Sequence, residues 1–212
     1  MPILRVMNRR EFLSTVAATT ALPLASPALA QAKISIAELN RYLNSLKTAK
    51  GSFVQINPDK TLSRGTFYLS RPGRMRFEYK PPNNALVVAG QGRLAVFDGK
   101  SNQGPQQYPL HRTPLSIILK RQVNLGQSGM LVAHQSEGNA TSITAQDPEH
   151  PDQGRVKLLF TDSPTELRQW IVTDQSGRKT TVNLDRLKTG GRLSGALFDI
   201  DKMVKEGTGL NR

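Results

Sequence analysis

The stretch of sequence that decides the fold is GTFYLSRPGRMRFEY, residues 65–79. It contains two runs in which polar and apolar side chains alternate, as in a β-strand with one buried face. Arg71-Pro72-Gly73 lies between the two runs and has the composition of a tight turn. The stretch therefore predicts two antiparallel strands joined by a short turn.

Alternation also assigns the faces of these strands. Three large apolar side chains share one face of the second strand: Met75, Phe77 and Tyr79. In the first strand, Phe67 and Leu69 share a face with Arg71. The charged residues of this region, which lie close together in the sequence, could form a basic patch: Arg64, Arg71, Arg74, Arg76 and Lys80.

Similar strands recur on both sides of this stretch. Turn residues divide the chain into segments spaced as in antiparallel sheets. The predicted strands are 52–56, 61–70, 74–79, 86–89, 93–97, 130–134, 140–146, 155–161, 167–173 and 179–187. Two later strands again carry apolar pairs on one face: Leu158 with Phe160, and Trp170 with Val172. We predict one long, curved antiparallel sheet with a dry face.

Two segments have helical periodicity instead. Between residues 33 and 50, apolar residues recur every three or four positions, and Ser35 with Glu38 forms an S-x-x-E capping box. The opposite side of this helix is polar: Asn40, Arg41, Asn44 and Lys47. Residues 113–120 predict a short apolar helix with Thr113 as N-cap and Pro114 in its first turn. Because an apolar sheet face needs a cover, both helices are expected to lie on it, which gives a mainly β fold of the α+β class.

Two interpretations of the space between sheet and helices remain open at this stage. It is either an ordinary filled core or a cavity for an apolar ligand. Periodicity gives the same pattern for both, so the residues alone do not decide between them.

The N-terminus predicts export from the cytoplasm. Arg9-Arg10 precedes an apolar run rich in Ala and Thr, and Ala28-Leu29-Ala30-Gln31-Ala32 has the A-x-A spacing of a signal-peptidase site. The arginine pair indicates the twin-arginine route. The alternative, a membrane anchor, is disfavoured because Pro23 and Pro27 interrupt a run shorter than the roughly 20 residues of a membrane span. We predict a signal peptide at 1–32, one domain at 33–212, and a soluble periplasmic product.

Composition narrows the possible chemistry. The chain has no cysteine, which excludes thiol nucleophiles, disulfides and thiolate metal sites. The net charge is +13, or +11 without residues 1–32, which favours a partner with an acidic surface. Because the chain is predicted to be exported, nucleic acid is an unsuitable partner. His111, His134 and His150 have no metal-site spacing with carboxylates, and no catalytic serine or phosphate-binding motif occurs. We therefore expect no enzyme activity, metal or cofactor.

The order of several motifs resembles the periplasmic outer-membrane lipoprotein carriers of the LolA family. Residues 65–79 resemble the family's signature. Further agreements are Phe53 and Gln55, Phe97-Asp98-Gly99, Pro109-Leu110, Thr113-Pro114-Leu115, Leu159-Phe160, Leu167, Trp170, Asp174 and Gly177. The resemblance extends over residues 34 to 200, nearly all of the chain after the predicted signal. It departs from the family after Phe198, where a short polar end replaces the usual proline–glycine turn and closing strand.

The resemblance implies an unclosed β-barrel of about eleven strands, with a lid of short helices over a hydrophobic cavity. It also implies a carrier of triacylated lipoproteins, expected to be a monomer. Its partners would be an inner-membrane ABC exporter and an outer-membrane acceptor or membrane surface. The same scaffold could instead serve another lipid or glycolipid.

The resemblance gives Arg71 a particular role, that of holding the lid shut through helix and loop carbonyls. A guanidinium has five donors, which suits several carbonyl acceptors. The alternative is a solvated arginine at the edge of the sheet. The residues expected to line the cavity or hold the lid are Arg71, Phe67, Leu69, Met75, Phe77, Tyr79, Leu158, Phe160, Trp170 and Ile118.

Overall fold

The computed structural model describes residues 33–99 and 104–207. The predicted signal peptide at 1–32 lies outside the described residues. Within them the chain is mainly β, with short helices before, within and after the run of strands. The predicted fold class is thereby confirmed.

The described residues form eleven strands that belong to one antiparallel sheet. They are β1 Thr48–Ile56, β2 Leu62–Ser70, β3 Arg74–Tyr79, β4 Leu86–Gly90, β5 Arg93–Phe97, β6 Gln106–Pro109, β7 Leu131–Glu137, β8 Ala140–Gln146, β9 Arg155–Thr161, β10 Glu166–Thr173 and β11 Lys179–Thr189. The order across the sheet is β6-β5-β4-β3-β2-β1-β11-β10-β9-β8-β7.

The sheet is open, because β6 and β7 are its two edges and do not pair with each other among the described residues. Consecutive strands pair as hairpins on each side, as short turns in the sequence predict. The two halves meet where the first strand pairs with the last, with Phe53 opposite Leu184. One continuous inner face results, although the residues that form it are far apart in the sequence.

Most predicted strands are confirmed within a few residues, and the largest error is β6. The segment 106–109 has no apolar alternation and all four of its residues are exposed. It is a strand because it pairs with β5, from Arg93↔Pro109 to Val96↔Gln106. A partner-dependent strand of this kind has no local signal.

In the described part of the chain, three α-helices accompany the sheet: α1 Ile36–Ser45, α2 Leu115–Leu119 and α3 Ile200–Lys205. The predicted N-cap of α1 is confirmed, since Ser35 Oγ accepts a hydrogen bond from the Glu38 backbone N–H. The predicted N-cap of α2 is wrong. The Thr113 hydroxyl instead donates to Leu110 O, because Thr113 ends the 3₁₀ turn that precedes α2.

The inner face of the sheet lies under α1 with its C-cap Leu46, α2 and residues 120–130, which together we call the lid. Buried lid side chains pack in one cluster with the apolar faces of the strands: Leu39, Leu43, Leu46, Ile117, Ile118, Leu119, Val123, Leu125 and Met130. Residues 120–130 were not expected to be part of this cover. They contribute to it because Val123, Leu125 and Met130 are buried while the polar residues between them are exposed.

The other face of the sheet is covered locally by the C-terminal segment, which the sequence analysis did not predict. Ile200 and Met203, three residues apart on α3, pack on the outward-facing residues of β4 and β5: Leu86, Val88, Ala95 and Phe97. Asp199 caps α3 through the Lys202 N–H, and Arg76 Nη1 donates to Leu197 O at 3.0 Å. Gly90 permits this docking, since a Cβ there would collide with the Phe198 carbonyl oxygen.

Gly65→Ala should test the packing at the centre of the inner face. A Cβ at Gly65 would collide with the Glu78 carbonyl and lie 2.6 Å from the Phe53 ring. We expect the free energy of unfolding to fall by about 1–3 kcal/mol, the usual cost of overpacking, as measured by urea titration. Gly191→Ala is the control because a Cβ there meets nothing within 4 Å. Equal stability of the two variants would contradict the described packing.

Candidate functional site

An apolar pocket lies between the lid and the inner face of the sheet. Its lining residues come from α1 and its C-cap, from α2, and from four strands or their ends: Leu43, Leu46, Phe67, Leu69, Arg71, Met75, Ile118, Leu167, Trp170, Leu184 and Leu187. Its volume, counted as space open to the centre of a water molecule, is about 20 Å³. That is room for about one water, so the pocket is nearly closed by its own side chains.

Six of the ten residues predicted for the cavity line this pocket: Arg71, Phe67, Leu69, Met75, Trp170 and Ile118. The other four belong to the same apolar cluster but do not line the pocket: Phe77, Tyr79, Leu158 and Phe160. Strand alternation identifies the face on which a residue lies, but not how far along the sheet the pocket extends. The four are packed on neighbouring side chains, such as Phe160 on Tyr42 with ring centroids 5.8 Å apart.

Five lining leucines were not predicted for the site: Leu43, Leu46, Leu167, Leu184 and Leu187. Leu43 and Leu46 belong to the helical stripe that the sequence shows, so their periodicity carried the signal. Leu184 and Leu187 lie on β11, which is adjacent to β1 in the sheet only because the first and last strands pair. This long-range pairing has no local signature.

Arg71 is the one polar residue among those that line the pocket. The residue is 7 % exposed, so the alternative of a solvated edge arginine is wrong. The guanidinium donates through Nη1 to Leu43 O, and through Nη2 and Nε to Lys120 O at 2.6 and 3.2 Å. One side chain from the β2–β3 turn therefore contacts both helices of the lid at their C-terminal ends.

The acceptors of Arg71 explain why a cation is stable there. Leu43 lies in the last turn of α1, and the Lys47 N–H that could have bonded to its carbonyl donates to Ser45 O instead. Carbonyls at a helix C-terminus lack partners within the helix and carry partial negative charge, which favours a cation. Burial nevertheless lowers the pKa of the Arg71 guanidinium. No carboxylate of the described residues lies within 4.0 Å of it.

The turn backbone reinforces these contacts. The Arg71 N–H donates to Lys47 O at 2.8 Å, and the Gly73 N–H donates to Leu119 O at 2.9 Å. The turn predicted from Arg71-Pro72-Gly73 is therefore the place where sheet, α1 and α2 meet.

The basic patch suggested by the sequence is wrong for two of its five members. Arg71 is buried beneath the lid. Arg76 pairs with Glu78 at 2.6 Å and donates to Leu197 O on the outer face. Arg71 follows β2 on the inner face that carries Phe67 and Leu69. Arg76 lies on the outer face of β3, because it alternates with the inward-facing Met75 and Phe77.

The histidines do not form a site with one another. His111 and His150 are exposed, while His134 Nε2 lies 2.9 Å from Ile34 O and joins β7 to the segment before α1. Residues 33–99 and 104–207 contain no group of three or more His, Cys, Asp or Glu that could hold a metal ion.

An aromatic cluster adjoins the pocket and includes two of its lining residues, Phe67 and Trp170. Trp170 is edge-on to Phe67 and Phe77, with ring centroids 5.3 and 6.0 Å apart, and Phe53 is edge-on to both Phe77 and Tyr79 at 5.1 Å. The Tyr79 hydroxyl donates to Gln55 Oε1 at 2.7 Å. Burial raises the pKa of Tyr79 to about 12. These mutual contacts make the cluster a fixed boundary of the pocket.

An open antiparallel sheet with an apolar pocket under a helical lid is an architecture that suits the binding of apolar ligands. Residues 44–201 match the family described as outer membrane lipoprotein carrier protein LolA. This match spans most of the chain, and the chain belongs to that family. The family described by this name is one of carriers, not of enzymes.

Curated relatives agree with this assignment. An outer-membrane lipoprotein carrier protein of Legionella pneumophila (strain Lens) is 27% identical over 171 residues, which is 77% of this chain and 83% of that protein. A protein of the same name from Chromohalobacter salexigens is 25% identical over 97% of this chain and 99% of its own length. A solved LolA superfamily protein from Nitrosomonas europaea aligns with a TM-score of 0.42 at 12% identity, over 80% of this chain and 99% of that one.

Titration of Tyr79 should make stability fall at high pH. Its pKa is about 12 in the folded chain and 10.0 without burial, so the unfolded state loses the proton first. The stabilising effect of the neutral form is complete below pH 10 and is lost as the pH rises from 10 to 12. Between pH 9 and 11, Tyr79 should contribute a loss of roughly 1.3 kcal/mol.

Tyr79→Phe should remove this contribution, so that urea-derived stability falls less steeply between pH 9 and 11 than in the wild type. Tyr108→Phe is the control, since Tyr108 is 46% exposed and should keep the wild-type slope. A Tyr79→Phe slope equal to that of the control would mean that Tyr79 is not held in a dry environment.

Proposed function

We propose that this chain is a periplasmic carrier that binds the acyl chains of lipoproteins and delivers them to the outer membrane. The observation that carries the proposal is the apolar pocket closed by a lid whose main polar contact is Arg71. Family membership supplies the class of cargo.

The physical requirement for such a carrier is balanced affinity. An acyl chain of fourteen methylenes gains about 11 kcal/mol on leaving water, at about 0.8 kcal/mol for each methylene. A carrier whose binding free energy included this whole amount would hold its cargo too tightly to release it. If the empty protein must open its lid first, the opening cost is subtracted from the affinity.

The closed pocket is consistent with such a cost. A volume of about 20 Å³ does not admit an acyl chain, so the lid must move before one binds. Opening separates the Arg71 guanidinium from Leu43 O and Lys120 O, which are its acceptors on the two lid helices. Arg71 thus acts as a positioning residue that favours the empty, closed state.

The partners follow from the two ends of this route. An inner-membrane ABC exporter would supply the lipoprotein, and an outer-membrane acceptor or the membrane surface would receive it. None of the described helices is both long and apolar enough to cross a bilayer. We propose that the chain meets these partners as a periplasmic monomer.

The test of the function is mass spectrometry of what co-purifies with the chain from the periplasm of its own cells. We expect triacylated lipoprotein in the eluate, because the pocket would shield its acyl chains. Free lipid or glycolipid without lipoprotein would support the rival function on the same scaffold. A protein that binds neither, even when offered a synthetic triacylated lipopeptide, would overturn the proposal.

Arg71→Leu should retain cargo that the wild type releases. Leucine fills the site without donors, so the closed state loses its contacts with both helices, and less binding free energy is spent on opening. Transfer of a radiolabelled lipoprotein to acceptor membranes should slow by at least tenfold, which corresponds to about 1.4 kcal/mol.

Arg64→Leu is the matched control for this experiment, because Arg64 is an exposed arginine on β2, the strand that leads into the turn with Arg71. It should transfer cargo at the wild-type rate. Arg71→Leu that also released cargo at that rate would contradict the positioning role of Arg71.

A further inference from the structure

A second set of polar contacts holds the lid, at a distance from Arg71. Asn44 Nδ2 donates to Val123 O at 2.8 Å, and Asn44 Oδ1 accepts from the Val123 N–H at 2.8 Å. One turn earlier on α1, Asn40 Oδ1 accepts from the Leu125 N–H at 2.9 Å. The two asparagines bind residues 123–125 much as a neighbouring strand would.

We propose that Asn40 and Asn44 form a second latch of the lid, which must break together with the Arg71 contacts before the pocket admits a ligand. The proposal rests on the proposed function for its biological purpose. Its structural content, that opening the pocket separates α1 from residues 123–125, can be tested without any ligand.

The position of the pocket supports this inference. Leu43 of α1 and the C-cap residue Leu46 line one side of it, and Ile118 of α2 lines another. Residues 123–125 continue from α2 through Lys120, the acceptor of Arg71. Separation of the two lid segments at Arg71 alone would leave them tied by the asparagines.

Burial of Val123 and Leu125 adds to the free energy needed to break this latch. Val123 and Leu125 are buried at 2% and 1% exposure, and their segment belongs to none of the helices and strands of the described residues. A buried backbone N–H or C=O that loses its partner is destabilised, so residues 123–125 depend on the asparagine side chains.

Asparagine has a low helix propensity, and this property makes alanine substitution a clear test of the latch. Alanine has the higher helix propensity, so Asn40→Ala and Asn44→Ala each favour α1 itself. Greater opening in these variants could not arise from a weaker helix. The matched control is Arg41→Ala, an exposed position on the same helix next to Asn40.

The first measurement is acrylamide quenching of Trp170, the single tryptophan of the chain, which lines the pocket at 2% exposure. Each lost hydrogen bond should raise the population of the open state roughly two- to tenfold. We expect quenching to increase in the Asn40→Ala/Asn44→Ala variant, to increase further when Arg71→Leu is added, and to stay unchanged in Arg41→Ala.

Hydrogen exchange separates a latch from a general loss of stability. In the asparagine variant, exchange should accelerate at the Val123 and Leu125 amides and in α2, while the amides of β8 to β10 keep their wild-type protection. Acceleration across all strands would indicate global destabilisation and overturn the proposal. Faster exchange at 123 and 125 with unchanged Trp170 quenching would also overturn it, because the asparagines would then anchor the loop without controlling the pocket.

The proposed function can fail separately from the latch. A wild-type chain that does not bind a synthetic triacylated lipopeptide would remove the carrier function, but the quenching and exchange results would still decide the latch. If the peptide binds, the asparagine variant should release it more slowly than the wild type and Arg41→Ala should not. Equal release from all three would contradict a role for the latch in carrying.

Discussion

The closed state depends on a buried cation placed between the C-terminal ends of two helices. Arg71 comes from the turn between β2 and β3, and its acceptors, Leu43 O and Lys120 O, belong to elements that precede and follow the first half of the sheet. The apolar residues of the lid cover the sheet only when both helices are held in this arrangement. The Gly73 and Arg71 backbone contacts add to the same junction.

Such a contact suits the lid opening that the proposed function requires. Removing a guanidinium from water is costly, and the lowered pKa of Arg71 reflects that cost. Bonds to helix carbonyls offset part of it, so the net gain of closure is smaller than the number of hydrogen bonds suggests. In the proposed open state, water would again solvate the cation. A contact of this kind specifies one closed geometry without making the closed state very stable.

Features that depend on neighbouring residues could be predicted from the sequence, and features that depend on distant ones could not. The strands Arg74–Tyr79 and Ala140–Gln146 have the predicted bounds because alternation and flanking turns define them locally. The apolar face was predicted for the same reason. By contrast, β6 requires β5 as a partner, and the contacts of Asn40 and Asn44 involve backbone groups about 80 residues away. The predicted cavity residues include packed ones because alternation fixes a face but not a depth.

The pocket is also asymmetric in how readily its walls can move. On one side are aliphatic side chains carried by the lid, such as Leu43, Leu46 and Ile118. On the other are Phe67 and Trp170, which are held edge-on by further aromatic rings. A closed pocket of about 20 Å³ can gain volume only where its walls are mobile. Expansion toward the lid breaks a few hydrogen bonds, whereas expansion toward the rings would disrupt the core of the sheet. A ligand of the proposed carrier would therefore be accommodated beneath the lid, where the proposal couples its arrival to the loss of the Arg71 contacts.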